Sequence, residues 1–247
     1  MSEIEGRLQA GGETLAWRRV EGAGPTVVWL GGFRSDMMGG KAQALADWAQ
    51  RNGRGFLRFD YSAHGASSGD FLQGTITHWR ADVLAVIDQL TQGPLVLAGS
   101  SMGGWLACLA AMARPQRLAG LVLLAPAADF PQALIAPRLD EAARRDLVEH
   151  GVWMRPSAYG SPDPITRAFL DDAARWCVLP GPLRLGVPVR ILQGGADADV
   201  PWRHALALAE AIEDEDLIFT LIRDGDHRLS RPQDLARMVA AVEGMGG

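Results

Sequence analysis

The 247-residue chain is 48% hydrophobic and 21% charged, close to the balance of an ordinary globular domain, which excludes a disordered or fibrous protein. Its 24 Lys and Arg against 29 Asp and Glu give a net charge of -5 with no basic run longer than a pair, which argues against a nucleic-acid partner.

The first residues, MSEIEGRLQAGGET, are acidic and polar where a signal peptide has a basic start and an apolar run. The longest strongly apolar stretches, such as 118–128, fall short of the roughly 20 residues that span a bilayer. A cytoplasmic protein without stable membrane insertion is expected. Cys108 and Cys177 form no metal-type pair and read as buried thiols rather than a disulfide.

Along the chain, 13–20 reads as an antiparallel edge strand, and TVVWL at 26–30 as the first central strand, running into Gly31-Gly32-Phe33-Arg34-Ser35-Asp36. A short helix at 45–51 precedes the strand GFLRF at 55–59 and the turn-rich loop from Asp60 to Gly65. Ile76, Trp79, Val83, Val86, Ile87 and Leu90 recur at three- and four-residue spacing, one apolar face of a helix. The strand LVLA at 95–98 then meets Gly99-Ser100-Ser101-Met102-Gly103 and a helix over 104–113, followed by the strand LVLL at 121–124.

From about 127 to 186 the alternation breaks; this Pro- and Arg-rich segment, with helical patterns at 139–149 and 165–174, is expected to form a cap inserted into a single domain. Strand VRILQ at 189–193 resumes the alternation, followed by Gly194-Gly195-Ala196-Asp197-Ala198-Asp199-Val200-Pro201 and a helix. A last strand, LIFTLI at 217–222, leads through His227 into a helix begun by Pro232. Strands separated by helices imply a mostly parallel sheet flanked by helices on both faces.

The segment Gly99 to Gly103 is a G-x-S-x-G elbow between strand and helix, which presents Ser101 at the end of its strand. A serine hydroxyl is a weak nucleophile near neutral pH and needs an adjacent base, usually an imidazole. His227 lies on a loop after the last strand and fits the order Ser, acid, His. His64 precedes the nucleophile and reads as a pocket residue at most, while His78, His150 and His204 read as surface or packing groups. The carboxylate that orients the imidazole is Asp197 or Asp199, with Asp197 preferred because Asp199 suits a helix cap; Asp226, adjacent to His227, is the weaker third choice. The N–H groups of Met102 and Phe33 are the candidate oxyanion donors. No metal or organic cofactor is needed by such a set. Phe130, Leu134, Ile135, Trp153, Met154 and Trp176 are suited either to walling an acyl pocket or to packing the cap on the core.

The blocks LGGFRSDMMGGKA, RFDYSAHGASSG, GSSMGGW, QGGADADVPW and GDHRLS, in this order, resemble the α/β-hydrolase superfamily, and are most similar to bacterial relatives of its ABHD10-type branch. The resemblance runs from about residue 27 to the C-terminus and is weakest in the cap. It implies an α/β-hydrolase fold with a triad of Ser101, Asp197 and His227, and a serine esterase or thioesterase acting on small-molecule or acylated-protein substrates, palmitoyl-cysteine or acyl glucuronides among them. One departure is Gly31-Gly32, where the superfamily often has His-Gly.

Overall fold

Alternate side chains of the central strands enter different cores, which is why runs such as 27–30, 95–98 and 121–124 are apolar at successive positions. In the computed structural model, which describes residues 3–157, 160–179 and 181–245, the first elements are the strands β1 (Ile4–Ala10), β2 (Glu13–Val20) and β3 (Ala23–Leu30). They are followed by α1 (Gly40–Asn52), β4 (Arg54–Phe59), α2 (Ile76–Leu90), β5 (Leu95–Ser100), α3 (Met102–Ala113) and β6 (Leu118–Leu124). Between β6 and the next strand of the main sheet lie α4 (Glu141–Glu149), β7 (Val152–Arg155), β8 (Asp163–Thr166) and α5 (Arg167–Ala173). The chain ends with β9 (Val189–Gly194), α6 (Trp202–Ala211), β10 (Leu217–Ile222) and α7 (Pro232–Glu243).

The described residues form an eight-stranded sheet in the order β1-β2-β4-β3-β5-β6-β9-β10. Pairing is antiparallel for β1–β2 and β2–β4 and parallel from β4 to β10. On one face Val96, Ala98, Val122 and Leu124 pack with Leu45 and Trp48 of α1 and Met238 and Val242 of α7. On the other, Leu97, Leu121 and Leu123 pack with Trp79, Val83 and Val86 of α2 and with the whole apolar length of α3. α3 is covered nearly all round, which accounts for its composition, MGGWLACLAAMA.

Two elements differ from expectation. The strand at 13–20 is not the edge: β1 lies outside it, joined through Gly11 and Gly12 at φ +58 and +88, a two-residue hairpin turn that needs left-handed residues. β1 escapes sequence reading because it carries Glu5, Arg7 and Gln9 and buries little of itself. In the segment between β6 and β9, α4 and α5 lie within the helical patterns at 139–149 and 165–174, but residues 165–166 belong to β8, which pairs with β7 in a separate two-stranded ribbon. That segment is clasped at its base by Asp129, whose buried carboxylate accepts the N–H groups of Val178 and Leu179 at 2.9 and 2.8 Å.

Candidate active site

β5 ends in a turn so tight that Ser101 takes φ +55 and ψ -118, a conformation side-chain-bearing residues rarely adopt. The flanking glycines make the turn sterically feasible. A Cβ on Gly99 would lie 2.3 Å from the carbonyl oxygen of Gly103, and one on Gly103 would lie 2.1 Å from that of Leu30. Absence of those two methyl groups lets the elbow sink between α3 and the end of β3.

His227, on the loop between β10 and α7, places Nε2 3.2 Å from Ser101 Oγ and Nδ1 2.8 Å from Asp197 Oδ2. A carboxylate only accepts, so Nδ1 carries the hydrogen and Nε2 is left with a lone pair facing the hydroxyl. Asp197 follows β9, and its side chain is fully buried. Its Oδ1 accepts the N–H groups of Asp199 and Val200 at 2.9 and 2.8 Å, and its Oδ2 accepts Gln193 Nε2 at 3.1 Å besides the imidazole. Four donors thus hold one carboxylate in place. Gln193 escapes notice in the sequence; the available signal is a polar residue directly after the apolar pair Ile191-Leu192 in β9, where it is fully buried.

Asp199 and Asp226 take other places. The N-cap position of α6 is held by Pro201 and not by Asp199. Asp226 Oδ1 accepts the N–H of Leu229 at 3.0 Å and shapes the His227 loop from within. Asp197, Asp199 and His227 bring donor atoms within 4.8 Å of one another, a spacing a metal ion would accept. However, Asp197 Oδ2 and both imidazole nitrogens are engaged in orienting the base on Ser101.

Phe33 and Met102 flank this centre. Among the described residues, neither backbone N–H has a hydrogen-bond acceptor within the protein. A Cβ on Gly32 would touch Ser101 Cβ at 3.4 Å, so the loop bearing Phe33 lies against the elbow bearing Met102. Ser101 and His227 open into a cavity of about 1030 Å³, which has one apolar wall from Phe33, Phe130, Leu134 and Ile135 and a charged rim that includes Arg34 and Arg138.

The family model described as serine aminopeptidase, S33, matches residues 25–171. Mouse palmitoyl-protein thioesterase ABHD10, a mitochondrial protein, is 35% identical over 233 residues, covering 93% of this chain and 77% of its own. The chain is a member of the S33 family of α/β-hydrolases. A solved structure of a hydrolase from Agrobacterium vitis S4 superimposes with a TM-score of 0.97 at 42% identity over 100% of both chains. Mouse α/β-hydrolase domain-containing protein 10 does so with a TM-score of 0.90 at 33% identity over 98% of each. This chain is a serine hydrolase of the ABHD10 and esterase group.

In this α/β-hydrolase the other histidines lie outside the hydrogen-bond chain of Ser101, His227 and Asp197. His78 Nδ1 lies 3.0 Å from Gln73 O and His204 Nε2 2.7 Å from Ala128 O, while His150 is exposed beside Asp146. His64 is buried and does not itself line the main cavity, but it accepts the N–H of Arg34, which does. Of the apolar residues between β6 and β9, Phe130, Leu134 and Ile135 line the cavity. Trp153 and Trp176 pack against the core instead, the Trp176 indole N–H reaching Thr77 Oγ1 at 2.8 Å, and Met154 is exposed. Lys41 also lines the cavity and donates to the carbonyl of Arg228; burial, with help from Arg228, brings its ammonium down to about 8.

Proposed function

We propose that this hydrolase cleaves carboxylic esters or thioesters through an acyl-enzyme on Ser101. Ser101 Oγ attacks the acyl carbon while His227 Nε2 takes the hydroxyl proton and Asp197 stabilises the resulting imidazolium. The N–H groups of Phe33 and Met102 meet the negative charge that develops on the carbonyl oxygen. Collapse of this intermediate expels the alcohol or thiol, to which His227 returns the proton. Water, deprotonated by the same imidazole, then attacks the acyl carbon, and the second collapse frees the carboxylic acid and restores Ser101. The observation that carries the reading is the unbroken hydrogen-bond chain from Ser101 through His227 to Asp197.

For substrate we propose a long-chain acyl thioester, such as a palmitoylated cysteine, with the segment between β6 and β9 acting as a cap over the acyl group. The support is twofold: the apolar wall of Phe33, Phe130, Leu134 and Ile135 beside Ser101, and the activity for which the similar mouse and human proteins are named, palmitoyl-protein thioesterase. Measuring kcat/KM with paired esters and thioesters from acetyl to palmitoyl tests it. A rise with chain length, steeper for thioesters, is expected. A profile confined to short chains rejects the long-acyl substrate, and a native enzyme that a fluorophosphonate fails to label at Ser101 rejects the acyl-enzyme.

A further inference from the structure

The loop after β3 holds Phe33 and Arg34 in a shape that the local chain does not favour. Arg34 takes φ +57, a left-handed conformation that a side-chain-bearing residue keeps only under outside restraint. Part of that restraint comes from the guanidinium, whose Nη1 donates to Asp163 Oδ1 at 3.0 Å and to the carbonyl of Pro162 at 2.8 Å. The backbone is held separately. The N–H of Arg34 donates to His64 Nε2 at 3.2 Å.

His64 is itself fixed from behind. Its Nδ1 lies 3.1 Å from the carbonyl oxygen of Ser62, which only accepts, so Nδ1 carries the hydrogen and Nε2 the lone pair. Ser62 in turn donates its N–H and its hydroxyl to Asp82 Oδ2 of α2 at 2.8 and 2.7 Å, and its carbonyl also receives the Trp79 indole N–H at 3.2 Å. The imidazole sits among the rings of Tyr61, Phe71 and Trp79, with centroids 5.2 to 5.5 Å away. Burial, reinforced by the Arg34 charge, brings its pKa down to about 4, so the accepting lone pair persists through the neutral range.

We infer that His64 is a positioning residue for the oxyanion site: by accepting the N–H of Arg34 it fixes the peptide next to Phe33, and so aims the Phe33 N–H at the developing oxyanion. The inference rests on the acyl-enzyme reading above and extends it to a residue with no wall on the substrate cavity. It also gives the block RFDYSAHG a task, which is to tie helix α2 to the oxyanion loop through Asp82, Ser62 and His64.

The test compares His64→Phe, which keeps an aromatic ring but has no acceptor, with His64→Gln, whose amide oxygen reaches the place of Nε2. One well-placed oxyanion donor is worth about 100- to 1000-fold in kcat, so a loosened one should cost roughly 10- to 100-fold. The expected result is that loss in kcat for His64→Phe with KM within about two-fold, a matching loss of affinity for a boronic acid that mimics the tetrahedral state, and recovery of most of both in His64→Gln. If His64→Phe does not fold, His64→Asn, whose shorter amide falls short of Arg34, replaces it in the comparison. Equal kcat in the two variants, or a change confined to KM, overturns the inference. Ser101→Ala, assayed alongside, separates the levels: retained turnover there sinks the acyl-enzyme itself, whereas loss there without a Phe–Gln difference sinks only the role of His64.

Discussion

His227 Nε2 stands 3.2 Å from Ser101 Oγ although 126 residues of chain separate them. The imidazole arrives on the loop after β10 and the hydroxyl on the turn after β5, at the same end of a parallel sheet.

Removing the hydroxyl should abolish turnover and fluorophosphonate labelling in Ser101→Ala while leaving the fold intact. Ser101→Gly should do the same and in addition relieve the strain at φ +55. That strain is worth roughly 1 kcal/mol or more, which in a chain of this size raises the melting temperature by about 2–4 °C. Calorimetry of the two inactive variants side by side reads the difference, and equal melting temperatures would refute the strain.

Asp197→Asn replaces an acceptor of four donors with an amide that offers hydrogens of its own. The imidazole loses the partner that fixes its tautomer, and kcat should fall on the order of 1000- to 10000-fold. Asp199→Asn should retain most of the wild-type kcat. A reversal of that ranking in steady-state assays would move the orienting role to Asp199.

Gly103→Ala drives a methyl group to 2.1 Å from the carbonyl oxygen of Leu30 and 2.6 Å from that of Gly31. Both obstacles are backbone, so the elbow and the end of β3 must part. A loss of at least about 3 kcal/mol of stability is expected, together with loss of activity. Urea unfolding measures the first and ester turnover the second; a variant as stable as wild type would mean that the two segments separate readily.

The buried His64 titrates at about 4 in the fold against 6.5 in a free chain. Between those values the unfolded chain binds a proton that the folded one does not, so the contribution of His64 to stability is complete above 6.5 and is lost as pH falls toward 4. The full difference is on the order of 3 kcal/mol. Asp60 and Asp82, pushed up by burial, oppose this trend because folding makes them easier to protonate. The comparison of wild type with His64→Gln in urea therefore isolates the histidine: the variant should lose less stability than wild type on going from neutral to acid conditions, and parallel curves would contradict the assignment.

The sheet and the elbow that carries Ser101 were legible because both leave local marks. LVLA runs straight into Gly99-x-Ser101-x-Gly103, and the apolar runs of β3, β5 and β6 announce strands covered on two sides. Order along the chain pointed to His227 among five histidines, and the structure places its imidazole 3.2 Å from Ser101 Oγ. β1 was silent because an edge strand with one half-buried face needs few apolar residues. The ribbon of β7 and β8 was silent because its strands have four residues each and sit among prolines and arginines. The parts played by Gln193, Asp129 and His64 depend on partners that the sequence leaves 4, 49 and 30 residues away, with no periodicity to point at them.

Every member of the proposed reacting set follows the C-terminal end of a strand in one parallel array: Phe33 after β3, Ser101 after β5, Asp197 after β9 and His227 after β10. A slip of one residue between neighbours displaces such an end by about 3.3 Å and turns its side chains to the opposite face, more than the 2.8 and 3.2 Å contacts at His227 can absorb. Catalytic competence therefore requires correct strand registration. During refolding, enzyme activity should return in step with the sheet, without a later phase in which an already folded chain still waits for its chemistry.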